Sequence, residues 1–415
     1  MPPLQAILFF ALTIISIATL VYYAVVLVRV LISRITVPTL RAGLELPLPD
    51  PAPSLAIIVP AHNEAATIHH LVRSTLAQDD PNLTLILALD RCTDDTHARA
   101  LEAAATPSGA PDPRLEIITI DHCPDDWAGK VHAIHAAYTR SPRAQSAQLL
   151  LFADADTIFH PQLLRAARAM LHDRRLDMLS LLPALTTDRW FERIVQPATG
   201  FELIRQFPID RLNRDLSPIR FANGQFMLFT HDAYKAVGTH TAVKDELLED
   251  LAFARLIHKA KRRLHVLMSD DLLRCRMYDS YPAFRRGWKR IYTESARCRI
   301  HELLKNSWRL RCFGTLLPGA TIASALLSLI SILTSDPHPI PIITLIISCA
   351  AIATAAGALA LIYRSQRTPL SLVPLYPIGA WITAGILNEA ARDLARDIPT
   401  EWAGRSYTRK AKHKQ

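Results

Sequence analysis

The sequence predicts an α/β domain on a mixed, mainly parallel sheet flanked by helices, with transmembrane helices at both ends of the chain. Three observations carry that expectation. Half of the 415 residues are hydrophobic (50%), and the excess is concentrated at the two ends, as in a membrane protein with a water-facing middle. In that middle, short apolar strands alternate with helical stretches, and polar residues collect where each strand stops, the pattern of a parallel α/β sheet. The apolar run Leu149-Leu150-Leu151-Phe152 ends abruptly at Asp154-Ala155-Asp156. Ligands gather at the carboxyl ends of buried parallel strands. Two carboxylates there form a hard-oxygen site suited to Mg²⁺ or Mn²⁺, which can hold a diphosphate. The alternative is a strand ending in a solvated acidic turn.

The elements follow in order. Leu4 to Ile32 is almost uninterrupted apolar sequence with no charge before Arg29, so residues 1–33 are expected to be a retained anchor rather than a cleaved signal. Arg29, Arg34 and Arg41 follow it and place the next domain in the cytoplasm by the positive-inside rule. Residues 34–53 form a proline-rich linker, and the water-facing domain is expected over 54–310. Its first strand, Leu55 to Val59, ends at Pro60-Ala61-His62-Asn63-Glu64, before a helix over about 66–78. The second, Leu83 to Leu89, ends at Asp90-Arg91-Cys92-Thr93-Asp94-Asp95-Thr96, and a helix continues to about Ala105. The third, Leu115 to Ile120, leads to Trp127-Ala128-Gly129-Lys130 and a helix through Tyr138. No G-x-G-x-x-G follows any strand and no glycine-rich run precedes Gly129-Lys130, which excludes dinucleotide and P-loop fingerprints. The net charge of +9 comes without zinc-finger or RNA-binding signatures, so it fits an anionic lipid surface and phosphate substrates, with no nucleic-acid partner. Six cysteines form no C-x-x-C pair and read as separate thiols in a reducing compartment.

The order of these strand ends resembles the family-two glycosyltransferases, whose catalytic domain has the GT-A fold; the resemblance covers about residues 54 to 300. Pro60, His62, Asn63 and Glu64 stand where the family embraces the nucleoside of its donor. Asp90 stands where it reads the uracil edge, and Asp94 where it shapes the pocket. Lys130 resembles the lysine close to the diphosphate, and Asp154 and Asp156 resemble the metal motif for Mg²⁺ or Mn²⁺. Asn223-Gly224-Gln225 resembles the segment lining donor sugar and acceptor. Glu249-Asp250 resembles the E-D motif, which implies Asp250 as general base toward an acceptor hydroxyl. Each has a plainer reading: Asp90, Asp94 and Asp95 as turn and cap residues, Glu64, Glu249 and Asp250 as helix-start acids, Lys130 as a solvated lysine. Arg286, Trp288 and Arg290 occupy the Q/R-x-x-R-W motif that holds a growing chain in processive synthases and are expected to contact diphosphate or acceptor, but Gly287 replaces the arginine before the tryptophan. The resemblance thus implies an inverting, non-processive enzyme of the hexosyltransferase type. It would move one sugar from a UDP-linked donor to a carotenoid-, hopanoid- or ceramide-type lipid. A processive synthase and a non-catalytic nucleotide-sugar-binding scaffold are the alternatives.

Asp188 to Arg214 alternates bulky apolar and basic residues, as a helix in the lipid interface or an ordinary core-facing helix would, broken at Pro197 and Pro208. Residues 311–390 carry three apolar runs: Leu316 to Leu333, Ile340 to Ile362, and Leu370 to Leu387 with Pro374 and Pro377 inside it. If all three cross, the basic tail 391–415 ends outside, against the positive-inside rule. A last run lying at the interface returns the tail to the cytoplasmic face of the inner membrane. The ending Trp402-Ala403-Gly404-Arg405-Ser406-Tyr407 resembles a W-x-G-R-x-Y ending of membrane glycosyltransferases acting on small lipids, and Glu389 is easier near an interface than in mid-bilayer.

Overall fold

The computed structural model describes residues 3–80, 82–214, 217, 219–334, 338–402 and 405–412. Twelve strands occur among them: β1 (Leu55–Ala61), β2 (Leu83–Asp90), β3 (Leu115–Ile120), β4 (Leu149–Ala153), β5 (Thr157–Phe159), β6 (Met178–Leu182), β7 (Ala184–Leu185), β8 (Phe226–Thr230), β9 (Leu264–Met268), β10 (Leu273–Cys275), β11 (Thr400–Trp402) and β12 (Arg405–Tyr407). The main sheet runs β3-β2-β1-β4-β8-β6-β9. Its pairings are parallel except those of β8, which is antiparallel to β4 and β6. The expected mixed, mainly parallel sheet is therefore present. The strands beyond β4 were not read in the sequence, save the one entered at Phe226.

Both sheet faces are buried, which is why β1 and β4 read as unbroken apolar runs rather than as alternation. Leu55, Ile57 and Val59 enter one core cluster, while Ala56 and Ile58 enter the other. The helices start and stop within a few residues of expectation: Ile68–Leu76, Thr96–Ala103 and Gly129–Arg140. The basic-apolar stretch is three helices, Trp190–Ile194, Gln196–Gln206 and Ile209–Leu212. Pro197 sits in the first turn of the second and Pro208 caps the third, positions where proline costs no helical hydrogen bond.

Among the described residues, four helical stretches are long and apolar enough to cross a membrane. Three of them, Pro3–Thr36, Leu317–Thr334 and Pro339–Ser365, pack on one another. Their contact is stitched by hydroxyls: Thr13 to Thr344 at 2.8 Å, Ser16 to Ser348 at 2.9 Å and Thr19 to Thr321 at 2.8 Å. Such bonds specify the pairing of apolar helices that have no hydrophobic reason to associate in lipid. The fourth, Tyr376–Ala395, leans instead on Gln196–Gln206, Tyr281–Ser295 and Ile300–Arg311. Arg285 reaches Glu389 at 2.6 Å and Lys289 pairs with Asp393. After it, β11 and β12 form a hairpin on the α/β domain, so the tail and that domain lie on the same side of the three-helix bundle. Ala403, Gly404 and Lys414 of the tail, and Ser335 to Pro337 between the second and third of the bundle helices, lie outside the described residues.

Candidate active site

Because β1, β2 and β4 are neighbours and parallel, Pro60-Ala61-His62-Asn63-Glu64, Asp90 and Asp154-Ala155-Asp156 are delivered to one edge of the sheet. At the β2 end, Asp90 is buried and takes both prongs of the adjacent Arg91, Nε to Oδ1 at 2.9 Å and Nη2 to Oδ2 at 2.7 Å. His62 Nδ1 lies 2.6 Å from the Asp90 carbonyl oxygen. Asn63, at φ 57°, accepts from the Thr93 amide at 2.8 Å. Asp94 accepts from the Ala65 amide at 3.1 Å and the Thr96 hydroxyl at 2.5 Å. Glu64 accepts from the Thr67 hydroxyl at 2.7 Å. Asp94 and Asn63 thus tie the β1 and β2 loops together, while the Glu64 carboxylate bonds within its own loop. Burial pushes the Glu64 carboxyl up, Asp154 and Asp94 adding to it against the Thr67 hydrogen bond.

Lys130 is the junction of the site. It sits in the first turn of Gly129–Arg140, only 14% of its side chain exposed, with Nζ 2.7 Å from Asp154 Oδ1 and 2.6 Å from Glu249 Oε1. The solvated-lysine reading is therefore excluded. Burial works against its charge, but Asp154 and Glu249 outweigh burial and hold it protonated. Burial likewise pushes Asp154 up while Lys130 draws it back. Asp156 lies well above the usual carboxylate range through burial, then through Asp154 and Glu64. Its Oδ1 is buried without a hydrogen-bond partner.

Asp250 starts the helix Glu249–Lys259 and accepts from the Gly224 amide (2.8 Å) and the Leu251 amide (2.7 Å). Burial, with Glu249 beside it and Lys130 opposing, pushes its carboxyl up to about 7. Gly224 sits in tight space: a Cβ there would stand 3.1 Å from Lys130 Nζ and 3.2 Å from Glu249 Oε1, so both side-chain ends would have to give. Its neighbours face the scaffold. Asn223 bonds Leu181 O (3.1 Å) and Gln225 Oε1 (3.0 Å), and Gln225 Nε2 reaches Cys275 Sγ at 2.7 Å. Cys275, beside Asp156 in the same buried pocket, had no signal in the sequence.

The arginine–tryptophan segment divides. Arg286 is exposed and makes no side-chain hydrogen bond or ion pair among the described residues. Trp288 is buried in an aromatic cluster with Phe284 and Tyr292, its Nε1 without a hydrogen-bond partner. Arg290 donates to Leu247 O at 3.1 Å, two residues before Glu249. Gly287 has its own cause: a Cβ there would lie 2.0 Å from the Tyr278 hydroxyl. Tyr278 fills the room that a side chain at 287 would need, and Arg290, Asp156 and Asp154 are all near enough to act on its phenol. Gly287→Ala should cost about 1–3 kcal/mol through overpacking, and nothing measurable in a Tyr278→Ala background; thermal unfolding of the four proteins in detergent closes that cycle.

A family model described as "Glycosyltransferase like family 2" matches residues 51–306, more than half of the chain. The chain belongs to this family. The matched stretch holds the mixed, mainly parallel sheet described above. A 4,4'-diaponeurosporenoate glycosyltransferase of Staphylococcus aureus (strain MRSA252) is 25% identical over 253 residues, covering 59% of this chain and 62% of that protein. The chain thus spans less than two thirds of the length of the curated relatives it matches. A mannosyltransferase from Pyrobaculum calidifontis, solved with GDP-Man and Mn2+, is 18% identical, with a TM-score of 0.46 over 92% of this chain and 98% of that one. Mycobacterium tuberculosis glucosyl-3-phosphoglycerate synthase, solved with Mn2+, UDP and phosphoglyceric acid, is 17% identical. Its TM-score is 0.38 over 62% of this chain and 81% of that one.

Proposed function

We propose that this family-two glycosyltransferase moves one sugar from a nucleotide sugar, UDP-linked in the first instance, to a hydroxyl or carboxyl of an amphipathic lipid at the bilayer surface. The observation that carries the reading is Lys130 clamped between Asp154 and Glu249, which joins the strand-end carboxylates to the helix bearing Asp250. The relative whose name specifies a carotenoid carboxylate supports a lipid acceptor. Gly287, closed off by Tyr278, supports single transfer over a processive synthase.

Asp154 and Asp156 fit a divalent cation: the orphaned Oδ1 of Asp156 is a free hard donor. Among the described residues no group of three His, Cys, Asp or Glu forms a cage, so a cation held by Asp154 and Asp156 would draw its remaining ligands from the donor and water. Bound there, Mg²⁺ or Mn²⁺ supplies Lewis-acid stabilisation of the departing diphosphate. Lys130 adds fixed positive charge beside the same oxygens. The buried Asp90 and the Pro60–Glu64 loop hold the nucleoside. Asp250 takes the proton of an acceptor hydroxyl as its oxygen bonds the sugar C1, and the C1–phosphate bond breaks with its electron pair leaving on the nucleoside diphosphate. One displacement inverts the anomeric centre. The active site faces the cytoplasm, given Arg29, Arg34 and Arg41 after the first span. Tyr376–Ala395 lies along the interface, so the tail stays on the domain's side.

The test is release of nucleoside diphosphate by detergent-held protein, scanning UDP- and GDP-sugars with Mg²⁺ or Mn²⁺ and lipid extract. Lipid-dependent release from one donor, falling by about 10³-fold or more in Asp156→Ala, is the expected result. Release from no donor, despite donor binding, would turn the protein into a nucleotide-sugar-binding scaffold.

A further inference from the structure

We propose that the C-terminal hairpin is a working part of the donor site: it clasps the loop before Lys130 to the loop before Asp250, with Arg405 and Tyr407 as positioning residues for nucleotide-sugar binding. The inference rests on the reading of the site given above, and it assigns a role to a segment beyond the family match at 51–306.

Each strand of the hairpin grips a different wall. Arg405 Nη1 donates to the carbonyl oxygens of Pro124 (3.0 Å) and Trp127 (3.1 Å) and lies 2.9 Å from Cys123 Sγ. Its Nη2 donates to Asp125 at 2.9 Å. Asp125 is fully exposed, so that ion pair holds little in water; the Nη1 group on two backbone carbonyls at once is what fixes the loop. Tyr407 then supplies what the loop lacks. Ala128 offers no side chain to cap the helix Gly129–Arg140, and the first helical amide, Gly129 N–H, donates to the Tyr407 hydroxyl at 3.1 Å. An orphan amide at a helix start is thus satisfied by a residue 278 positions away. This amide borders the Asp90–Arg91 pair, since a Cβ on Gly129 would lie 3.2 Å from Arg91 Nη2 and 3.6 Å from Asp90 Oδ2.

On the other wall, Trp402 carries the Arg290 guanidinium 4.2 Å from its ring centroid, and Arg290 donates to Leu247 O. Past the hairpin, Arg409 reaches Glu294 at 2.8 Å and the Asp245 carbonyl at 3.2 Å. Residues 123–129 precede Lys130, and residues 245–248 precede Glu249-Asp250. Trp402 and Tyr407 pack on the domain core and anchor the tail, while Arg405 and Arg409 donate to the backbone of the two loops that deliver the site's lysine and its acid, so releasing the tail frees both.

The experiment measures, on full-length protein in detergent, the Kd of UDP and of GDP with Mg²⁺, amide exchange through Cys123–Lys130, and the acceptor KM. Arg405→Ala should weaken the bound nucleotide at least tenfold and speed exchange across that segment, leaving the acceptor KM within twofold. Arg405→Lys should not restore full affinity, because the shorter side chain loses the Nη2–Asp125 arm and the guanidinium plane that aims Nη1 at both carbonyls. Tyr407→Phe keeps the ring and removes only the accepting oxygen; it should cost three- to tenfold in Kd with faster exchange at Gly129. Unchanged affinity and exchange in both Arg405→Ala and Tyr407→Phe overturn the clasp. Loss in Arg405→Ala alone, with Tyr407→Phe at wild-type affinity, also overturns it and leaves an inert anchor. If wild-type protein binds neither nucleotide, the donor reading fails, and exchange through Cys123–Lys130 alone then decides whether the clasp exists.

Discussion

Asp250→Asn protein is expected to bind donor as tightly as wild type while losing about 10²–10⁴ in turnover with a hydroxyl-bearing lipid, the usual weight of a positioned base. The amide keeps the shape of the side chain and one acceptor oxygen for the Gly224 amide, so the Lys130 junction should stand. The pH profile gives an independent reading. Burial and Glu249 push Asp250 up to about 7, and the base works deprotonated. Turnover should therefore fall about tenfold per unit as pH drops below 7 and level off above it. In Asp250→Asn the acid limb disappears from what activity remains. Wild-type turnover in the variant would remove Asp250 from the chemistry.

The other large effect is expected at Lys130. Lys130→Met leaves Asp154 and Glu249 converging on a buried gap with no cation between them. Breaking one side of a buried ion pair costs about 3–5 kcal/mol, so thermal unfolding in detergent should drop sharply and donor turnover with it. Lys130→Met with Glu249→Gln should recover part of the stability and none of the turnover, because it removes one of the two stranded charges without replacing the ammonium. The sign with pH is fixed. Burial already raises the Asp154 carboxyl in the folded state against the pull of Lys130. Without that pull its folded value rises further above the unfolded one, so the protonated form stabilises the variant at low pH and that support is lost as pH rises through the folded value. The deficit should shrink on acidification. Equal stability of Lys130→Met and wild type would mean that the junction carries no load.

How much of this was legible beforehand depends on the range of each contact. Asp154 and Asp156 announced themselves because a strand buried on both faces must read as an apolar run, and its end as a sudden polarity. Asp250 was legible as an acid at a helix start, though its role came from the order of motifs. For Arg286 and Trp288 the motif records residue types and not which way a helix turns them; the structure turns Trp288 into an aromatic core and Arg286 outward. Glu64 and Asp94 were marked for the donor, but their carboxylates are occupied by neighbouring loop groups.

By itself the sequence determined the apolar ends, the parallel strands and the carboxylates at their tips, since hydrophobic period and strand-end polarity are local properties that a few residues express. Only the tertiary structure decided that β8 runs antiparallel within the sheet, that Tyr278 claims the space at Gly287, and that the tail returns to the domain. Arg405 and Asp125 are 280 residues apart. No local pattern encodes that approach, because it exists only once burial has fixed the sheet and the helices between them.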